Sequence, residues 1–152
     1  MKRFCAIAAV ILAVVLFVPV IGTSLQAGAN GEGRKSQQEL ILELQNTYRV
    51  QAGLKPLTVT VELQTAADIR VEEAARYFSH SRPDGSDWWT VDPTYVYGEN
   101  LANGYNSAAE IVNAWMASRS HRYNMMNPEY TTCGIDLAYV NGKWYCAQEF
   151  GY

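Results

Sequence analysis

Apolar and polar positions alternate along this chain with two different periods, and the change of period marks out its elements. From Gln37 to Gln51, Leu40, Ile41, Leu44 and Tyr48 recur at helical spacing, and Gly53 supplies a stop. After the extended link Leu54-Lys55-Pro56-Leu57, a second helix is predicted from Val61 to Phe78. Its one face carries Leu63, Ala66, Ala67, Arg70, Ala74 and Tyr77, small enough to let a neighbour approach closely. Ser79 to Thr94 is rich in Pro, Gly, Asp and Ser and reads as a loop. Thr94 to Tyr97 is predicted as a short strand broken at Gly98, and Glu99 to Ala102 as one helical turn ended by Asn103-Gly104.

A third helix starts at Ser107, where Glu110 three residues later completes a capping box. Ile111, Ala114, Trp115 and Ser118 continue on one face of a run ending at His121, Arg122 and Asn124, with Pro128 past its end. Thr131 to Tyr139 and Lys143 to Phe150 form a hairpin about Asn141-Gly142, a two-residue turn that sets Ala138 opposite Tyr145 and Leu137 opposite Cys146. Helix, helix, loop, short strand, helix and hairpin make an α+β domain, with helices covering a small antiparallel sheet.

The N-terminal pattern bears on compartment. Lys2 and Arg3 precede an apolar run from Phe4 to Ile21, and Ala27-Gly28-Ala29 offers a cleavage site, the pattern of a signal peptide over residues 1–29. An uncleaved anchor is the alternative, the run lying at the lower edge of the roughly 17–25 residues a spanning helix needs. Residues 30–36 then form a flexible leader and residues 37–152 one domain, secreted and without a membrane span after cleavage. Loss of Lys2 and Arg3 leaves ten basic against fifteen acidic residues, a net charge of −5 with no basic cluster, which argues against nucleic acid as a partner. Cys133 and Cys146 would be the remaining cysteines. Outside the cytoplasm such a pair reads as a disulfide. The hairpin register instead places them four residues apart along the strands, on the order of 13 Å, and a bulge near Gly134 or a wider turn would be needed to bring them together.

No zinc-protease helix motif, phosphate-cradling glycine loop or nucleophile elbow is present. The dispersed candidates are His80, Glu99, His121 and the hydroxyls of Ser79 and Ser118, Glu110 being taken up by the capping box, with Trp88 and Trp89 as an aromatic lid or platform in the loop. Gly98-Glu99-Asn100-Leu101, then Trp115 through Ser118-Arg119-Ser120-His121-Arg122-Tyr123-Asn124, then Pro128 and Gln148-Glu149-Phe150-Gly151, resemble the CAP family of cysteine-rich secretory, antigen 5 and pathogenesis-related 1 proteins. Phe78-Ser79-His80-Ser81-Arg82-Pro83-Asp84-Gly85 is similar to its bacterial secreted branch.

That resemblance implies an α-β-α sandwich with a central cleft. In the eukaryotic branch the cleft holds two histidines and two glutamates, which bind a divalent metal in some members. His80 and Glu99 match the first of each. Ser118 and Ile135 stand where the other two would be, and His121 is the histidine of the bacterial branch. His80, His121 and Glu99 are therefore the candidate ligands for Zn2+ or another divalent cation, or, without metal, a hydrogen-bonded network. The leading expectation is a binding protein. A lipid, peptide or cell-wall fragment would be gripped by the cleft and by Trp88, Trp89, Tyr95 and Tyr97. The alternatives are a metal-dependent hydrolase with Glu99 as general base and a structural surface or spore-coat component.

Overall fold

The computed structural model describes residues 36–152; the expected signal peptide and nearly all of the leader lie outside the described residues. The helices are α1 (Gln37–Gln51), α2 (Val61–Arg76), α3 (Ala108–Ala117) and α4 (Arg119–Met125), with a 3₁₀ turn at Trp88–Val91. The strands are β1 (Thr58–Val59), β2 (Gly98–Asn103), β3 (Thr132–Val140) and β4 (Lys143–Gly151), in the sheet order β1-β3-β4-β2. All pairings are antiparallel except that of β1 with β3, so the sheet is mixed rather than wholly antiparallel. The fold is α+β.

Each long helix begins at a side chain that satisfies a free backbone amide. Ser36 and Glu39 form a reciprocal capping box on α1, and Thr60 caps α2. Ser107 Oγ accepts from the Glu110 amide, while the Glu110 carboxylate reaches back to the Asn106 amide, one residue earlier than a standard box. The hairpin register follows its turn: Asn141 and Gly142 both take positive φ (51° and 79°), and Leu137 pairs with Cys146, Ala138 with Tyr145.

Three sequence expectations give way. Glu99–Ala102 is strand, not helical turn, because β4 offers a complete antiparallel partner: Glu99 lies opposite Glu149 and Leu101 opposite Ala147. The predicted strand at Thr94–Tyr97 precedes the paired segment; it meets β4 first through the Tyr97 amide, which donates to the Phe150 carbonyl (2.8 Å). The run from Trp115 to Asn124 is also two helices, since Ser118 takes extended dihedrals between α3 and α4.

The sheet is covered on both faces. Ile41 of α1, Ile111, Val112 and Trp115 of α3 and Met125 of α4 pack with Ala102, Cys133, Ile135, Cys146 and Phe150. The other face carries Leu101 and Ala147 against Val71 and Ala74 of α2. There α2 comes so close that a β-carbon on Gly134 would lie 2.0 Å from the Leu63 carbonyl oxygen. Buried Arg49 joins α1 to the segments around it, donating to the carbonyls of Lys55, Met125, Asn127 and Tyr130 at 2.8–2.9 Å.

The expected disulfide is not formed. Pairing between β3 and β4 is continuous through Gly134, with no bulge, and sets Cys133 opposite Phe150. Both thiols are free and buried, and burial pushes the Cys133 thiol up to about 12. Neither thiol should react with iodoacetamide in the native protein, and both should react in denaturant, as read by mass spectrometry. Gly134→Ala should lose at least about 3 kcal/mol in urea unfolding, because the clash is with helix backbone and cannot be relieved by a rotamer change.

Candidate functional site

β2 is an edge strand, and an edge leaves unpaired backbone groups that a protein must cover. Here α3 and α4 supply the cover. Trp115 Nε1 donates to the Leu101 carbonyl (3.1 Å), and Asn124 Nδ2 donates to the Glu99 carbonyl (3.0 Å) and to Asn100 Oδ1 (3.1 Å). Asn100 Nδ2 in turn donates to the His121 carbonyl (3.2 Å). Strand alternation then sends Glu99 to the opposite face from Asn100, toward α2.

On that face Arg70 of α2 meets it. Arg70 Nε donates to Glu99 Oε2 (2.6 Å) and Nη2 to Oε1 (3.3 Å), in a pair with almost no solvent exposure. The same guanidinium bonds Glu73 and donates to the Ser79 carbonyl (3.0 Å), fixing the start of the loop that carries His80. Arg82 returns from that loop to Glu73 (2.7 Å), and Ser81 bridges Asp87. Held this way, His80 Nδ1 lies 2.7 Å from Glu99 Oε1; its side chain is 55 % exposed while Glu99's is 1 %. A carboxylate already accepting from arginine can only accept again, so Nδ1 donates and Nε2 is the nitrogen left for a ligand.

His121 is half-buried on α4, its ring centroid 6.5 Å from that of Trp115. Burial first, and then the charge of His80, lowers its pKa, so its imidazole stays neutral to lower pH than an ordinary histidine. Ser118 sits at the break between α3 and α4, its Oγ 3.3 Å from that of Ser120. It lines an open groove of about 950 Å³ with Arg122, Tyr123 and Pro128, which neither His80 nor Glu99 borders. Trp88 packs partly buried against Leu63, Ala66 and Val96, whereas Trp89 is 44 % exposed. Tyr95 and Tyr97 line a separate cleft to which neither tryptophan contributes.

The zinc site expected from His80, His121 and Glu99 does not fit these residues. Both Glu99 oxygens are committed to Arg70 and His80, and a guanidinium within hydrogen-bonding distance repels a divalent cation. Among the described residues no cluster of three or more His, Cys, Asp or Glu side chains is placed to hold a metal ion. The positive charge in this site is Arg70 itself.

Sequence reasoning missed Arg70 as a site residue, and it missed Glu149. Glu149 lies opposite Glu99 across the β2–β4 pairing, fully buried, with neither carboxyl oxygen in hydrogen-bond geometry with a partner. Burial, then the Glu99 charge, then the proton a neutral acid can share toward Glu99 all raise its pKa well above the usual carboxylate range, against the opposing pull of Arg70. Its folded pKa being raised, the unfolded chain releases this proton at lower pH than the native one. Glu149 therefore costs stability as pH rises above the ordinary carboxylate range near 4. Glu149→Gln should raise the melting temperature at pH 7, and the gain should shrink as pH falls toward 4. A calorimetric series from pH 4 to 8 reads both.

A model of the cysteine-rich secretory protein family, CAP, matches residues 42–150. The uncharacterized protein YkwD of Bacillus subtilis (strain 168) is 31% identical over 114 residues, covering 70% of this chain and 44% of that protein. The chain spans less than half the length of the curated relatives it matches. Among solved structures, an outer surface protein from Borrelia burgdorferi superposes with a TM-score of 0.68 at 19% identity, covering 77% of this chain and 92% of that one. An extracellular protein containing a SCP domain from Bacillus anthracis str. Ames gives 0.65 at 22% identity, covering 76% and 40%.

Proposed function

This chain belongs to the CAP, or cysteine-rich secretory protein, family, and from that premise we propose that it acts outside the cell by binding a lipid, peptide or cell-wall fragment at the face presented by His80. The basic, then apolar, then small-residue N-terminus and the likeness to an extracellular SCP-domain protein support secretion. One observation carries the binding reading: a half-exposed imidazole is held at 2.7 Å by a carboxylate that is itself buried and clamped by arginine. A ring fixed this way offers Nε2 to a hydroxyl or amide of a ligand without first losing rotamer freedom, which is where preorganised sites gain affinity. His121, neutral and within reach of the His80 charge, supplies a second imidazole, and exposed Trp89 supplies apolar area on the same loop as His80.

The hydrolase alternative loses its base. Glu99 accepts from two cationic or hydrogen-bonding neighbours, so it orients His80 rather than taking a proton from water. The binding reading is tested by calorimetry with three probes: soluble muropeptides, a mixed tripeptide set, and vesicles of anionic phospholipid. One probe class should bind, with affinity unchanged by EDTA and at least tenfold weaker in His80→Ala. Binding by none of the three, equal binding by His80→Ala, or loss in EDTA overturns the reading.

A further inference from the structure

A line of aromatic rings runs from the core to the surface at one end of the sheet. Phe150, buried, stacks on Tyr130 with ring centroids 5.4 Å apart and planes inclined by 20°. Tyr130 meets Tyr152 at 5.6 Å, and Tyr152 meets Tyr97 at 4.4 Å. The Tyr130 hydroxyl also donates to the Tyr97 carbonyl (2.7 Å). Glycine at 98 allows this contact, because a β-carbon there would lie 2.8 Å from the Tyr130 oxygen. The line ends in two rings that remain about half exposed, Tyr97 at 46 % and Tyr152 at 59 %.

Rings that are both exposed and fixed do little for folding, and they are what a binding surface needs: large apolar faces already ordered. With Tyr95 they flank a cleft of about 280 Å³ whose remaining wall is Thr60, Glu62, Thr94 and Thr132 beside apolar Leu63. Gly151 keeps the neighbouring backbone close, since a β-carbon there would meet the Tyr95 carbonyl at 2.8 Å and Thr132 Oγ1 at 2.9 Å.

We propose that this tyrosine cleft is a second binding site, separate from the His80 face, and that it takes one ring of a neutral saccharide. The lining selects the class. The Glu62 carboxylate accepts hydrogen bonds and gives none, and the threonine hydroxyls both accept and donate. An occupant that matches this wall brings hydroxyl groups, which donate to the carboxylate and exchange hydrogen bonds with the threonines, together with apolar faces for the tyrosines. A pyranose has both, with axial C–H faces and a rim of hydroxyls. A proline-rich peptide, the other common guest of tyrosine grooves, brings carbonyls but few N–H groups and so offers little to the Glu62 carboxylate. An anionic sugar would meet the Glu62 charge. The volume lies just below the usual range of about 300–1,000 Å³ for small-molecule pockets, which suits a single ring of a longer chain.

Titration calorimetry of the protein with chitotriose, cellotriose and maltotriose tests the proposal. At least one trisaccharide should bind in the millimolar range or tighter. Tyr97→Ala and Tyr152→Ala should each weaken it threefold or more through the lost ring face, and Glu62→Gln should weaken it too. Tyr97→Phe and Tyr152→Phe should retain it, which separates loss of stacking from loss of folding. His80→Ala should leave it unchanged, so the two sites stand or fall separately. No binding of any trisaccharide, full affinity in the alanine variants, equal loss in the phenylalanine variants, or displacement by a proline-rich peptide overturns it.

Discussion

The contact on which the rest of this structure depends is the buried pairing of Arg70 with Glu99. Removing a guanidinium and a carboxylate from water is costly, and only near-complete hydrogen bonding offsets it. Arg70 achieves that by spreading its donors over Glu99 on β2, Glu73 on its own helix, and the Ser79 carbonyl in the following loop. The helix, the loop that follows it and the more distant strand β2 are thereby fixed to one planar group. Arginine suits this position and lysine would not, because a fork of donors is needed in set directions. Taking away one partner alone would strand the other charge in the interior, so the two residues are expected to vary together.

The same geometry explains the short motifs on either side of the edge. Gly98-Glu99-Asn100-Leu101 is an edge strand whose outward carbonyls at 99 and 101 are met by the side chains of Asn124 and Trp115. Those two motifs face each other because one completes the hydrogen bonding of the other. Asn100, Trp115 and Asn124 are accounted for by covering that edge, while His121 in the second motif and His80 in the loop after α2 keep ring surface for other work. Glu149 runs against this economy: a carboxyl with no donor, next to another carboxyl, at the centre of the sheet.

Much of the fold was legible because local signals and tertiary structure agreed. The helical spacing of Leu40, Ile41, Leu44 and Tyr48 and the Asn141-Gly142 turn each name their element without help from elsewhere, and the turn fixes the hairpin register to the residue. Glu99–Ala102 was misread because four residues carry little periodic signal, and their state is decided by a partner strand some fifty residues later. The break at Ser118 is likewise set by the need of α4 to lie along β2, and no glycine or proline announces it. Of the site, the His80–Glu99 contact is present at hydrogen-bond distance. Arg70 stayed hidden because on a helix face it reads as one more packing position, and its partner is named only when the sheet is assembled. The cysteine pair shows the reverse case: register argued against a bridge while composition argued for one, and register prevailed.

The two sulfur atoms contribute as small apolar groups in the interior, and the described fold is closed entirely by noncovalent contacts. Closing the described fold asks nothing of a thiol oxidase or a disulfide isomerase. What such a domain gives up is a covalent safeguard against unfolding, leaving the close fit of α2 over Gly134 and the carbonyl cage around Arg49 to keep it shut.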